Sequence, residues 1–222
     1  MVTYLRKHER LSAEDRKQQL IEVAIDLFSR KGFGGTTTKE IAAAAGVNEA
    51  IIFRHFATKQ QLYAAILDFK IGNPESRESF AGVLTLMEGE DDEAVFGWLI
   101  RKVIEIYRDD PGFERLMIYA ALEGHEIAVM HQNLVSPFVE ALRSYIQRRQ
   151  QAGALIECDP MLAILSVIGA GKQFAIGRYL FPGNKICGPE DDAEVSKEVS
   201  KVLTDIVLRG LQGKTKGKGK KK

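Results

Sequence analysis

Three helix starts crowd into residues 36–62, TTTKEIAAAAGVNEAIIFRHFATKQQL. Thr37 and Glu40 form a capping box ahead of the apolar run Ile41, Ala42 and Ala45: the hydroxyl accepts from a first-turn amide and the carboxylate from the cap's own amide. Gly46 offers the positive-φ residue that a tight inter-helix turn needs. Asn48 caps a short second helix, and Thr58 with Gln61 boxes a third. A helix from Asn48 to Arg54, braced by two neighbours, is thereby held at the surface. Such a helix fits a major groove about 12 Å wide. The spacing predicts a DNA-binding helix-turn-helix.

The rest of the chain also reads as helix, with no convincing alternating strand. Ser12 and Asp15 open a helix whose stripe is Leu20, Ala24, Leu27 and Phe28, and Gly32-Phe33-Gly34-Gly35 stops it after Lys31. Thr58 opens a helix carrying Leu62, Ile66 and Phe69 toward a break at Gly72-Asn73-Pro74. Asp91 or Asp92 caps a helix holding Val95, Trp98, Leu99 and Val103, and Asp110-Pro111 restarts another through Phe113 and Met117. After Gly124 a helix runs to Gln151, with Ser136-Pro137 inside it as a break or kink and Gly153 as its stop. Asp159-Pro160 opens a helix to about Leu180, Phe181-Pro182-Gly183-Asn184 ends it, and a last helix spans roughly Asp192 to Leu211. The expectation is an all-α chain of about nine helices.

Composition bounds the class. At 222 residues, 45% hydrophobic and 27% charged, the chain can bury a substantial core. It has no run of 18 uncharged apolar residues and no signal-peptide core near its N-terminus, so a cytoplasmic protein is expected. Cys158 and Cys187 are too few for a disulfide framework and read as reduced thiols. The net charge of +1 hides a division. Residues 1–70 carry 11 basic and 8 acidic side chains, whereas residues 71–212 carry 14 and 22. A basic head on an acidic body suits a DNA reader joined to a regulatory domain. The last ten residues add 6 lysines and no acid. That low-complexity tail is expected to be disordered, either simply solvated or attracting nucleic acid non-specifically.

On the short helix Ile51 and Ile52 read as core, leaving Asn48, Glu49, Ala50, Phe53 and Arg54 outward. Arg54 binds guanine bidentately or only a phosphate, and Asn48 pairs with adenine or only caps. Ala50 permits close approach or contact with a thymine methyl. Glu49 accepts from cytosine N4, repels phosphate, or merely suits a helix N-terminus. Thr37 and Thr38 lie at a helix start, where hydroxyl and amide can meet a phosphate. His55 is a phosphate contact or part of the corner before the next helix, and Phe56 is core.

These residues resemble the TetR family of bacterial transcriptional repressors. The resemblance rests on Phe28, Gly32-Phe33, Thr38-x-x-Ile41-Ala42-x-x-Ala45-Gly46-Val47 and Phe53-Arg54-His55-Phe56-x-x-Lys59-x-x-Leu62, and covers roughly residues 13–67. Phe53 departs from it, because the family usually has Tyr there, and the change loses a phenolic phosphate donor. The resemblance implies a phosphate partner for Lys59, whose place in a first helical turn is otherwise unfavourable for a cation. It also implies a homodimer through a four-helix bundle of the last two long helices. Leu165 and Ile168 would lie on one of them and Val202 and Ile206 on the other, with Ala170-Gly171 suiting close packing. The body becomes a domain for a small-molecule inducer of unknown identity, with no other cofactor and no membrane partner. An inducer would move the two heads apart and release a palindromic double-stranded operator.

The implied organisation is a flexible arm (1–11), a helix-turn-helix domain (12–57), a joining fourth helix (58–71), a ligand-binding and dimerisation domain (72–212) and a tail (213–222). Trp98, Phe113, Met117, Tyr119, Met130, His131 and Phe174 are the candidate ligand-pocket residues, with core packing as the bland alternative for each. Glu123, His125, Glu126 and His131 are the one cluster resembling a metal or acid–base site, but the histidine spacing does not put both on one helical face. No P-loop, Gly-x-Ser-x-Gly elbow or His-Glu-x-x-His motif supports an enzyme. An architectural DNA-binding protein, argued from the lysine tail, is the other class in play, and a regulator could equally activate or repress.

Overall fold

The computed structural model describes residues 11–71, 74–181 and 193–212. The N-terminal arm, Asn73, Pro182-Gly183-Asn184, Cys187, Asp192 and the lysine tail lie outside the described residues.

The described residues form helices and no strand: α1 (Ala13–Lys31), α2 (Thr38–Ala44), α3 (Glu49–His55), α4 (Lys59–Lys70), α5 (Pro74–Glu88), α6 (Asp92–Asp109), α7 (Pro111–Leu122), α8 (Glu126–Gln151), α9 (Pro160–Ala175) and α10 (Ala193–Gln212). A π-helical turn, Ile176–Leu180, continues α9. Most boundaries sit where local chemistry puts them. Ser12 accepts from the Asp15 amide, Asp91 from Ala94, and Asp159 from Met161 ahead of Pro160. Gly32, Gly46, Gly124 and Gly153 all adopt positive φ at helix ends.

Pro74, at the expected break, also opens α5, where a residue lacking an amide proton loses nothing. Of the break or kink expected at Pro137, the break does not occur, since α8 runs unbroken for 26 residues.

The chain forms two compact units, one of residues 1–72 with 115–128 and one of 73–114 with 129–222. In the first, Leu20, Ala24, Phe28, Ile41, Ile52, Leu62 and Ile66 are buried where α1–α4 meet. In the second, α6 packs on both α9 and α10, and Phe96, Ile100, Ile104, Leu142, Ile164 and Val167 form its core. Gly171 was expected to serve a partner subunit. Instead it is buried against α6 of its own chain, where a Cβ would stand 2.9 Å from the Ile100 carbonyl oxygen.

Across that second unit Asp92 binds Arg149 with both oxygens, at 2.9 and 3.0 Å, and accepts from the Tyr145 hydroxyl at 2.5 Å. Glu90 adds a contact to Arg149 at 2.6 Å. Burial, with the carboxylate of Asp92 beside it, holds the Tyr145 phenol above its ordinary range. Pro160–Leu180 is long and apolar enough to cross a bilayer by length and composition, though it contains Lys172 and Arg178.

Candidate nucleic-acid interface

The head is built from its caps. Thr37 accepts from the Glu40 amide at 3.2 Å while Glu40 accepts from the Thr37 amide at 2.8 Å. Glu40 also takes the Lys31 ammonium at 2.7 Å. Lys31 first, then the Thr37 amide and hydroxyl, hold the Glu40 carboxyl down at about 2. Asn48 accepts from the Ala50 amide at 2.9 Å, and Thr58 from Gln61 at 3.1 Å. Ile52 turns fully inward and Ile51 partly so, which presents the opposite face of α3 to solvent.

On that face Asn48, Ala50, Phe53 and Arg54 are exposed, Phe53 by 49%. No hydrogen bond or ion pair among the described residues engages the Arg54 guanidinium. His55 is half-buried, its ring 6.3 Å from that of buried Phe56. Thr38 and Glu49 are brought together, the hydroxyl donating to the carboxylate at 2.5 Å. This contact ties the start of α2 to the start of α3. It also commits the Thr38 proton, leaving the amide of the first turn to meet a phosphate.

Lys59 does not face outward in this structure, contrary to expectation. Its ammonium donates to the Phe33 carbonyl and lies 3.9 Å from the centre of the Phe33 ring. A carbonyl and a π face together offer what a phosphate would have offered. Burial draws the Lys59 pKa below the ordinary lysine range, opposed by Glu123 and Glu40.

Around Lys59 stands a group that sequence reasoning missed. Phe33 packs on Phe28, Tyr63 and His125, with ring centres 5.8, 5.0 and 4.3 Å apart. Glu123 accepts from the Phe33 amide at 3.2 Å. His125 accepts from the Ile127 amide at 3.3 Å, so it caps the start of α8. Burial first, then Glu123, raise the Tyr63 phenol. The suspected metal cluster is thus divided: Glu123 and His125 brace the head, His131 belongs to the other unit, and no metal-binding group occurs among the described residues.

The expected ligand-pocket residues do not form one group either. Trp98 lies tilted or edge-on to Phe80 and Phe138, ring centres 6.4 and 6.2 Å away, and Phe113 lies 6.4 Å from His131 at a tilt. Phe174 is half-buried against the core and Met130 is 39% exposed. Met117 and Tyr119 lie in the unit that holds the head helices. A cavity of about 660 Å³ lies between α6 and α10, but of the expected residues only Trp98 lines it, among Glu93, Arg101, Lys197 and Asp205. The expected dimer residues separate as well. Leu165, Val202 and Ile206 are 56%, 50% and 62% exposed, whereas Ile168 packs on its own core.

Comparison with known proteins agrees with this head. Residues 20–66 match the model of the bacterial regulatory proteins of the tetR family. The chain is 27% identical over 172 residues to the HTH-type transcriptional regulator RutR of Escherichia coli strain K12, covering 72% of this chain and 74% of that protein. Over 55 residues, 25% of this chain and 29% of the relative, it is 42% identical to an HTH-type transcriptional repressor of Mycobacterium tuberculosis.

Among solved structures, a putative fatty acid metabolism regulator of Clostridium perfringens superposes with a TM-score of 0.66 at 17% identity, covering 87% of this chain and 98% of that one. FadR of Bacillus subtilis, in complex with stearoyl-CoA, gives 0.57 at 17% identity over 87% and 98%. These likenesses show a shared all-α fold. With its capped, outward-facing α3 and the family match that spans it, the head at residues 20–66 is that of the tetR family of bacterial regulatory proteins.

Proposed function

We propose that the protein is a homodimeric repressor that binds a palindromic operator and is released by a small-molecule inducer. One observation carries the DNA-binding part: α3 offers Arg54, Ala50 and Phe53 to solvent, and no partner for the guanidinium occurs among the described residues. In this reading Arg54 and Asn48 meet base edges, Ala50 allows close approach, and Phe53 packs on sugar or a thymine methyl. Thr37, Thr38 and His55 contact the backbone, and Glu49 positions Thr38. Lys59 holds the turn between α1 and α2 in the free head and reaches phosphate only by leaving Phe33.

One such head spans too few bases for tight specific binding, so two are needed. Leu162 and Leu165 on α9 with Val202 and Ile206 on α10 leave an apolar face uncovered, which a second copy would bury as a four-helix bundle. This use also accounts for the apolar character of Pro160–Leu180. The domain division is proposed as a reading domain at 12–57, α4 as its connection, and 72–212 for effector and partner. The stearoyl-CoA complex of the FadR relative shows that a protein of this fold accommodates a ligand. Inducer release then requires differential affinity, and a 100-fold preference for the non-DNA form supplies about 2.7 kcal/mol of coupling.

The test is operator binding by Arg54→Ala across a set of base changes and salt concentrations. Loss of preference at one position per half-site is expected. A uniform loss with a salt slope lower by about one unit would make Arg54 a phosphate contact only.

A further inference from the structure

The cavity between α6 and α10 belongs wholly to the second unit, and its two walls run antiparallel. Asp92, at the start of α6, meets Arg149 near the close of α8. Leu211, near the end of α10, accepts from the Ile156 amide just beyond α8. The two helices approach closely at Gly97, where a Cβ would stand 3.6 Å from the Thr204 hydroxyl oxygen.

That crossing sorts the charges that line the cavity. To one side, Arg101 from α6 and Lys197 and Lys201 from α10 gather three cations. To the other, Glu93 from α6 and Asp205 from α10 supply carboxylates. Asp91, also at the acidic end, is already committed to the Ala94 amide at 2.9 Å. Arg101 and Glu93 stand about two turns, or about 12 Å, apart along α6. Between them lies Trp98, half-buried and braced by Phe80 and Phe138.

The cations are little engaged within the chain. No ion pair or hydrogen bond among the described residues holds Lys197 or Lys201. Arg101 has only Glu105, at 3.9 Å from its Nε, which is beyond hydrogen-bonding reach. Ser200 and Thr204 also line the cavity, but they donate to carbonyls of their own helix at 2.9 and 2.6 Å. The cations are thus left to meet an anion, and three of them suit one with more than a single charge.

We propose that this cavity binds a nucleoside diphosphate. The base stacks on Trp98, and the diphosphate takes Arg101, Lys197 and Lys201. Ribose hydroxyls and the amine of the base donate to Glu93 and Asp205 at the acidic end. The volume, about 660 Å³, is that of a small-ligand site. An aromatic acid with one carboxylate would leave Glu93 and Asp205 without donors and the cations only partly neutralised. The inference rests on the effector-binding reading above and gives it a ligand class and a place.

Trp98 is the single tryptophan of the chain, so its fluorescence reports on this cavity. The full chain is titrated with ADP, adenosine, pyrophosphate and benzoate, with excitation at the red edge of the indole band. Each of the last three is also scored by its displacement of ADP. ADP is expected to quench Trp98 saturably with a half-point of about 0.1 mM, and the others should need at least about tenfold more. Arg101→Met and Lys201→Met should each raise the ADP half-point by about fivefold or more, while Lys201→Arg keeps it within about twofold. Both positions are exposed, so these variants should melt with the parent, which separates lost binding from failure to fold.

Pyrophosphate binding as tightly as ADP would make this an anion site only and overturn the inference. Benzoate binding as tightly overturns it too, as does the absence of saturable quenching by ADP. So does an ADP half-point that neither methionine variant moves. Operator release is measured separately. Release by another compound without ADP binding keeps the effector reading and sinks this one, and ADP binding without release does the reverse.

Discussion

The two units solve the same problem, how to satisfy polar groups in a helical protein, by different means. At the helix starts of the head the solutions are local: Thr37 with Glu40, Asn48 with Ala50 and Thr58 with Gln61 are each within three residues, and only around Phe33 do Lys59 and Glu123 reach across the chain. In the body the decisive contact joins Asp92 to Arg149, 57 residues apart and almost fully buried. The helix starts of the head are therefore small independent contributions around one core. The body hinges on a few desolvated groups whose loss cannot be shared. Mutations should cost little each in the head and much in the body, with Gly32 as the informative exception.

The largest effect is expected at Asp92. Asp92→Ala leaves the Tyr145 hydroxyl without its acceptor and Arg149 with only the exposed Glu90 carboxylate, and should cost about 3–5 kcal/mol of stability, read by denaturant unfolding. Arg149→Leu added to it should restore part of that loss, because the orphaned charge is then gone. A loss under about 1 kcal/mol would erase the contrast between the units.

Gly32 comes next. Its φ of 69° with ψ of 177° is a conformation almost reserved for glycine, and a Cβ there would collide with the Glu123 carboxylate. Gly32→Ala should cost about 1–3 kcal/mol from the backbone alone. Glu123→Ala in that background should recover only the steric part. Full recovery would mean that the backbone is not strained by the substitution.

Thr37→Ala removes one cap and should cost about 1 kcal/mol, detected as a shift in the unfolding midpoint with unchanged m.

The smallest effect is acid sensitivity at Glu40. Its folded pKa, about 2, is depressed below the 4.5 of a free carboxyl. Its stabilisation is therefore complete above pH 4.5 and is lost as pH falls toward 2. The group is exposed, so salt should mute the effect. Melting of the parent and Glu40→Gln should converge as pH drops through that window, and parallel curves would contradict the assignment.

The same contrast explains what was legible in the sequence. Caps and positive-φ glycines obey spacings of one helical turn, so Ser12, Thr37, Gly46, Asn48, Thr58 and Asp159 could be read directly. The seat of Lys59 was not legible, because Phe33 and Glu123 come from 26 residues before it and from α7–α8. A stripe shows that a helix has an apolar side but not which neighbour covers it. Hence Gly171 and Ile168, grouped with Leu165 for a partner, serve their own core instead. Pro74 carried the signal for α5, but a proline marks a helix start as readily as a break.

The central claim is that two exposed α3 helices read a symmetric DNA site. Its most direct test is selection of genomic fragments by the purified protein at about 150 mM salt, followed by sequencing of what is retained. The account predicts one palindromic motif with half-sites about one helical turn apart, lost when Leu165→Glu and Ile206→Glu prevent pairing. Retention of fragments without any shared motif would contradict it and favour an architectural, sequence-indifferent DNA-binding protein.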